Sequence, residues 1–90
     1  MIQDEQSFLI DKSILFDVRL SPYDIRIYFA LVAFSQGNEN LKITIGEIVR
    51  AIGLSRATFS RSIKHFKKLK LLQVDRKTDG CIYHFLKPNN

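Results

Sequence analysis

Two helix-start signals lie close together in the middle of the chain. Thr44 is followed three residues later by Glu47, a capping-box pattern, and Ser55 stands two residues after a glycine. A helix that begins at Thr44 has room for only two or so turns before that glycine interrupts it, roughly 3.6 residues each. The spacing therefore predicts a short helix over 44–52, a glycine-containing turn, and a longer helix over 55–70.

A third start signal lies upstream, at the sequence Ser21-Pro22-Tyr23-Asp24. Ser21 suits the cap, proline suits the first helical position, and Asp24 can accept from the cap nitrogen. We expect a helix over 22–36 that ends at Gly37. Its apolar residues cover nearly the whole circumference, which is typical of a central helix; they form two stripes, Ile25, Phe29 and Val32 on one side and Ile27, Leu31 and Phe34 on the other.

The C-terminal third has alternating, β-prone segments on both sides of an Asp-Gly pair. This pattern predicts a hairpin near 71–86 whose loop, around 76–80, is slightly longer than the tightest kind. Residues 41–43 are compatible with a further brief strand. The predicted fold class is mainly α with a small β-hairpin (α+β), built as a three-helix core plus the hairpin.

The predicted organisation is one domain with two short extensions. The domain spans 21–87, an N-terminal arm spans 1–20, and 88–90 is a tail. The arm carries scattered apolar residues, so we expect an extended or helical segment that covers the core. If it does not cover the second face of helix 22–36, a second copy of the chain would, which predicts a homodimer as the other arrangement.

Charge is distributed unevenly along the chain. Residues 1–40 carry three basic and six acidic side chains, a net of −3, whereas residues 41–90 carry eleven basic and three acidic ones, a net of +8. A basic half favours an anionic partner: nucleic acid, an acidic membrane surface or an acidic protein. No apolar run approaches the roughly 18 residues of a membrane span, and the start lacks a signal-peptide pattern, so we expect a cytoplasmic protein.

Catalytic, metal and cofactor sites are not indicated. Cys81 has only His65 and His84 as further candidate zinc ligands, without the spacing of a zinc site, so a buried thiol is expected. No nucleophile stands at suggestive spacing from a base, and no glycine-rich phosphate loop or small-molecule site is evident. The sequence predicts a binding protein rather than an enzyme, without a cofactor.

The helix predicted over 55–70 has one apolar and one basic face. At 100° per residue, the apolar stripe holds Phe59, Ser62, Ile63, Phe66 and Leu69, and the opposite side holds Ala57, Ser60, Arg61, Lys64, Lys67 and Lys68. The basic face contains no acid and has small residues near its start. The major groove of DNA admits such a helix, and its phosphates attract Lys and Arg.

These residues also carry a family resemblance. The segments Gly53-Leu54-Ser55 and Thr58-Phe59-Ser60-Arg61, with Ile63, resemble the turn and recognition helix of bacterial helix-turn-helix proteins. With the hairpin added, residues 20–86 look like a winged helix-turn-helix domain, similar to those of plasmid and phage replication initiators and of MarR-like regulators. Val49 replaces the alanine of many members, which predicts a slightly wider crossing of the second and third helices.

The resemblance implies double-stranded DNA as the partner and assigns roles by position. Thr44 and Ser55 match helix starts that approach phosphates, and Arg76 and Lys77 match the tip of a basic wing at 76–78. Lys42, Lys67, Lys68 and Lys87 are expected at the periphery, with Lys68 counted in the DNA-binding set. The groove-facing positions are Arg56, Ala57, Ser60, Arg61 and Lys64.

Several alternatives stay open at this stage. Arg61 can pair with Glu47, and Arg76 and Lys77 can pair with the acids of their own hairpin. His65 is expected to pack at the edge of the core. The resemblance does not separate transcriptional regulation from plasmid or phage replication control, and some winged helices serve as protein-interaction modules instead.

Overall fold

The protein is described by a computed structural model that covers residues 12–86. It contains, in chain order, α1 (Lys12–Leu15), α2 (Pro22–Ser35), β1 (Asn40–Ile43), α3 (Ile45–Ile52), α4 (Arg56–Lys68), β2 (Leu72–Lys77) and β3 (Gly80–Phe85). This is the predicted α+β fold with its three main helices and hairpin. The strand compatible with residues 41–43 is present as β1, and the arm contributes one short helix, α1.

The capping signatures produce the predicted helix starts. The Ser21 hydroxyl accepts from the Asp24 N–H at 3.1 Å, and the Asp24 carboxylate accepts from the Ser21 N–H at 3.0 Å. At the other end of α2, Gln36 adopts the left-handed conformation with φ 55° and donates its N–H to the Ala33 carbonyl. The helix therefore ends one residue earlier than predicted. α4 likewise ends at Lys68, with Leu69 as its cap, rather than at residue 70.

The three strands form one antiparallel sheet in the order β1-β3-β2. Lys77 pairs with Gly80, so the hairpin turn consists of only two residues, Thr78 and Asp79. The prediction of a longer loop was wrong. Gly80 has φ 146°, a conformation that residues with a side chain rarely adopt, and this freedom lets the chain reverse within two residues.

One apolar core joins all these elements. Phe59 and Phe66 of α4 are buried as predicted, at 1% and 0% exposure, and the ring of Tyr28 packs edge-on against Phe66 at 5.6 Å. The Cys81 thiol is buried, as expected. The remaining buried apolar residues are Ile14, Leu20, Ile27, Leu31, Ile48, Ile52, Leu71, Leu72 and Tyr83.

The arm is part of this core at its C-terminal end. Ile14, on α1, is 2% exposed and belongs to the buried cluster with Leu20. The earlier half of the arm, Lys87 and the tail at 88–90 lie outside the described residues. None of the helices within residues 12–86 is long and apolar enough to cross a membrane.

Candidate nucleic-acid interface

Helix α4 presents an exposed basic ridge. Its start is fixed by Ser55, whose hydroxyl accepts from the Thr58 N–H at 3.1 Å. Phe59, Ser62 and Phe66 point into the core, which confirms the predicted buried stripe and leaves the opposite side in solvent. The exposed residues, hereafter the α4 ridge, are Ala57, Ser60, Arg61, Lys64, Lys67 and Lys68.

The charges of the α4 ridge are not neutralised by any acid among residues 12–86. The ion pairs among residues 12–86 join Asp17 to Arg19, Lys42 to Asp79, and Asp24 and Asp75 to histidines. Arg61 approaches the Thr58 hydroxyl at 3.5 Å and has no carboxylate within 4.0 Å in this part of the chain. The alternative pairing with Glu47 is therefore absent, and the Arg61 guanidinium faces solvent.

Glu47 is held instead by the cap of α3. Its carboxylate accepts from the Thr44 N–H and hydroxyl, each at 3.1 Å, and its own N–H donates to the Thr44 hydroxyl at 3.0 Å. These hydrogen bonds lower the pKa of Glu47, so the carboxylate is ionised at neutral pH. A negative charge thus occupies the start of α3, where a phosphate would otherwise benefit from the helix dipole.

The start of α4 differs in this respect. It has no acidic residue in its first turn, and the Ser55 hydroxyl both accepts from the Thr58 N–H and donates to the Thr58 hydroxyl at 3.0 Å. Arg56 is exposed, and its Nη2 lies 3.6 Å from where a Cβ would stand on Gly46. Arg56 therefore reaches back over the first turn of α3, and its positive charge lies between the two helix starts.

The hairpin carries two exposed cations that have no acidic partner among residues 12–86. Arg76 and Lys77 are both exposed at the end of β2. The acids predicted as their partners are engaged elsewhere, because Asp79 binds the Lys42 ammonium at 3.0 Å and Asp75 lies 3.0 Å from His84 Nε2. The hydrogen bond from Lys42 lowers the pKa of Asp79. Arg76 and Lys77 therefore do not pair with Asp75 or Asp79.

A cleft of about 100 Å³ lies between α4 and the hairpin. Ser60, Lys64 and Lys67 line it from α4, and Arg76 lines it from β2. Lys67, expected at the periphery, lines this cleft together with Ser60 and Lys64. When rotation about the helix axis is counted from Phe59 at 100° per residue, Lys67 falls on the same side of α4 as Ser60. That spacing was the signal available in the sequence.

Two side chains of α4 contact Asp24 at the start of α2. The Ser62 hydroxyl donates to Asp24 Oδ1 at 2.6 Å, and His65 Nδ1 lies 2.9 Å from Asp24 Oδ2. Burial raises the pKa of Asp24, but the hydrogen bonds from Ser62, the Ser21 N–H and His65 outweigh it, so the net pKa is lowered. His65 therefore does more than pack at the edge of the core, because it helps to hold α4 in place against α2.

Comparison with known proteins agrees with this architecture. A scan of protein families matches residues 26–80 to the MarR family. The match runs from the second turn of α2 to the first residue of β3, and thus includes β1, α3, α4 and β2. A search of curated proteins found no significant match. Because the family match covers more than half of its 90 residues, the chain belongs to the MarR family, whose winged helix-turn-helix domains bind DNA in transcription regulation and are not enzymes.

Proposed function

We propose that this protein is a sequence-specific regulator that inserts α4 into the major groove of double-stranded DNA and grips the backbone with its hairpin. The observation that carries the proposal is a set of exposed cations on α4 and the hairpin without a carboxylate within 4.0 Å among residues 12–86, three of which, Lys64, Lys67 and Arg76, line one cleft. Phosphates reward such unpaired charges through counterion release. The cations are Arg61, Lys64, Lys67, Lys68, Arg76 and Lys77.

We assign DNA contacts to individual residues from their positions on α3, α4 or the hairpin. Arg61 contacts a base edge, and Ala57 and Ser60 allow close approach to the groove floor. Ser55 and Arg56 approach a phosphate at the start of α4, where no acid competes. Thr44 does so at the start of α3, where the Glu47 carboxylate opposes it. Lys64 and Lys68 of α4, and Arg76 and Lys77 of the hairpin, hold the flanking backbone.

We further propose a homodimer that binds a palindromic site in the cytoplasm or nucleoid, with 21–87 as the DNA-binding domain. Proteins of this family typically dimerise. Most apolar side chains of α2 are at least half-buried within one chain, so α2 alone does not demand a partner. Phe16 and Val18, exposed at 72% and 97%, offer the apolar surface instead. Sedimentation of a monomer at tens of micromolar would contradict the dimer.

Two other uses of the same fold compete with this one. Control of plasmid or phage replication would need the same DNA contacts, and the identity of the bound DNA separates it from transcription control. A protein-interaction module would not need an acid-free α4 ridge, since the recognition-helix face of such modules tends to lose its Arg and Lys. The unpaired cations of α4 favour direct DNA binding.

An electrophoretic mobility-shift experiment tests the proposal. The probes are duplexes that flank the protein's own gene and random duplexes of the same length, at a fixed moderate salt concentration. We expect preferential binding of one flanking duplex and loss of binding when Arg61, Lys64 and Lys77 are replaced together by alanine. Unchanged DNA affinity in this triple variant, combined with loss of a protein partner, would show that the surface docks a protein.

A further inference from the structure

The α4 ridge separates two clefts that open on opposite sides of the helix. The cleft on the hairpin side was described above. The other cleft, hereafter the α2 cleft, lies between α4 and the start of α2 and has a volume of about 370 Å³. Thr58, Arg61, Ser62 and His65 line it from α4, and Arg19, Ser21, Tyr23 and Asp24 line it from the opposite wall.

The two walls of the α2 cleft are held in fixed positions. Asp24 forms the floor, and its hydrogen bonds to Ser62 at 2.6 Å and His65 at 2.9 Å join α2 to α4. On the outer lip, Asp17 holds the Arg19 guanidinium through contacts of 2.9 Å to Nε and 2.6 Å to Nη2. Arg19 therefore has a defined orientation, with Nη1 outside this fork.

The guanidinium groups at the α2 cleft are more exposed than the two carboxylates beside it, although Arg19 is paired with Asp17. The Asp17 and Asp24 side chains are only 12% and 8% exposed, whereas the Arg19 side chain is 56% exposed. The carboxylates are covered and saturated with hydrogen bonds, and the guanidinium groups of Arg19 and Arg61 are accessible. Tyr23, 57% exposed, adds a phenolic hydroxyl that can donate. The free edge of the Arg19 guanidinium and the Tyr23 hydroxyl, on one wall of the cleft, suit a phosphate oxyanion, while Arg61 on the other wall stays available for a base edge.

DNA geometry supplies the occupant. A helix in the major groove lies between the two sugar-phosphate backbones that border the groove, which is about 12 Å wide, and these backbones belong to opposite strands. With α4 in the groove, the hairpin cleft faces one backbone and the α2 cleft faces the other. We propose that Arg19 and Tyr23 bind a backbone phosphate of the strand opposite the one gripped by Lys77. This inference rests on the proposed DNA-binding function.

The test combines protein variants with neutral phosphates in a duplex selected by the protein from a random library. Each phosphate flanking the site is replaced singly by methylphosphonate, and affinities are measured for the wild type, Arg19→Gln, Tyr23→Phe, Lys77→Gln and the control Arg50→Gln. Arg50 is exposed on the last turn of α3 and lies outside both clefts. Arg50→Gln removes the same charge as Arg19→Gln and is therefore a matched control. Thermal unfolding of each variant verifies folding.

We expect Arg19→Gln to make the slope of log affinity against log salt shallower by about one unit, and Tyr23→Phe to lower affinity roughly tenfold. A methylphosphonate at the phosphate bound by Arg19 should weaken DNA binding by the wild type and cause no further loss for Arg19→Gln; we call such a phosphate silent for that variant. It should lie on the strand opposite the phosphate that is silent for Lys77→Gln. Arg50→Gln should behave as the wild type.

Three outcomes would overturn the inference. If Lys77→Gln shifts the slope while Arg19→Gln and Tyr23→Phe do not, the protein binds DNA but the α2 cleft does not hold a phosphate. If the phosphates that are silent for Arg19→Gln and for Lys77→Gln lie on the same strand, the proposed placement of the two clefts against opposite strands is wrong. If inorganic phosphate at millimolar concentration shifts the Thr58 amide resonance but no methylphosphonate is silent for Arg19→Gln, the cleft takes a free oxyanion instead. Failure of every variant and the wild type to bind any duplex would instead remove the proposed function.

Discussion

The hydroxyl of Ser62 donates a 2.6 Å hydrogen bond to Oδ1 of Asp24, across 38 residues of sequence. Ser62 is 3% exposed and Asp24 is 5% exposed, so the contact is nearly dry. Asp24 also caps α2 through the Ser21 N–H at 3.0 Å. One carboxylate thus fixes the start of the central helix α2 and the rotation of α4 about its axis.

This contact predicts a loss of stability in acid. The pKa of Asp24 is lowered below its ordinary value of 3.8, so the unfolded chain takes up a proton at higher pH than the folded one. The stabilisation is complete above about pH 5 and disappears as pH falls through the lower pKa of the folded state. We expect the free energy of unfolding, measured with urea at pH 7 and at a series of values below 4, to decline over this range.

The variant Asp24→Asn isolates the contribution of that residue. The amide cannot titrate, and its NH₂ group faces donors, so we expect a loss of about 1–3 kcal/mol at pH 7 and a shallower decline below pH 4. Asp17, Glu47 and Asp79 titrate in both proteins, which makes the difference between the two curves the relevant quantity. Parallel curves would show that Asp24 is not responsible.

Local signals predicted much of this fold, because capping and turn chemistry depend on a few neighbouring residues. Ser21, Thr44 and Ser55 each cap the helix predicted from their sequence context. The end of α4 and the hairpin loop were misplaced because both depend on backbone conformations that are chosen in the folded state: Lys70 has φ 61° and Gly80 has φ 146°. The amino-acid composition of a segment indicates such backbone conformations only weakly.

The candidate site was predictable on one helix but not between helices. The wheel of α4 placed Arg61 and Lys64 on the exposed side, where the structure has them. It could not show that Glu47 is held by Thr44 rather than by Arg61, or that Arg19 stands across a cleft from Arg61. Those relationships join residues whose distance is set by tertiary packing, and sequence periodicity contains no such information.

Glu47 provides a further prediction, because its carboxylate opposes phosphate at the start of α3. Glu47→Gln retains a capping box and removes the negative charge, so we expect tighter DNA binding and little change in melting temperature. Glu39→Gln is the matched control, since Glu39 is exposed before β1. Equal affinity gains in both variants would indicate a general charge effect rather than proximity to the DNA.

Replacement of glycine by alanine should change the stability of the fold in opposite directions at Gly46 and Gly53. Gly46 lies in the first turn of α3 without a positive φ, and an added Cβ would meet Arg56 Nη2 at an ordinary 3.6 Å. Gly46→Ala should therefore stabilise the fold by up to about 1 kcal/mol. Gly53→Ala, at φ 72°, is the same chemical change in a strained conformation and should destabilise it. Calorimetric melting of both variants checks the opposite signs, and two shifts of the same sign would refute this account.

The final prediction separates base reading from backbone binding on the proposed interface. If Arg61 reaches a base edge, Arg61→Ala should cost roughly 1–3 kcal/mol on the preferred duplex and flatten the preference over random DNA. Lys64→Ala and Lys77→Ala should weaken both duplexes alike, and each should make the slope of log affinity against log salt shallower by about one unit. All three side chains are exposed, so unfolding free energies should change by no more than about 0.5 kcal/mol. Equal losses on both duplexes for Arg61→Ala would assign Arg61 to the backbone and leave base reading to other residues of α4.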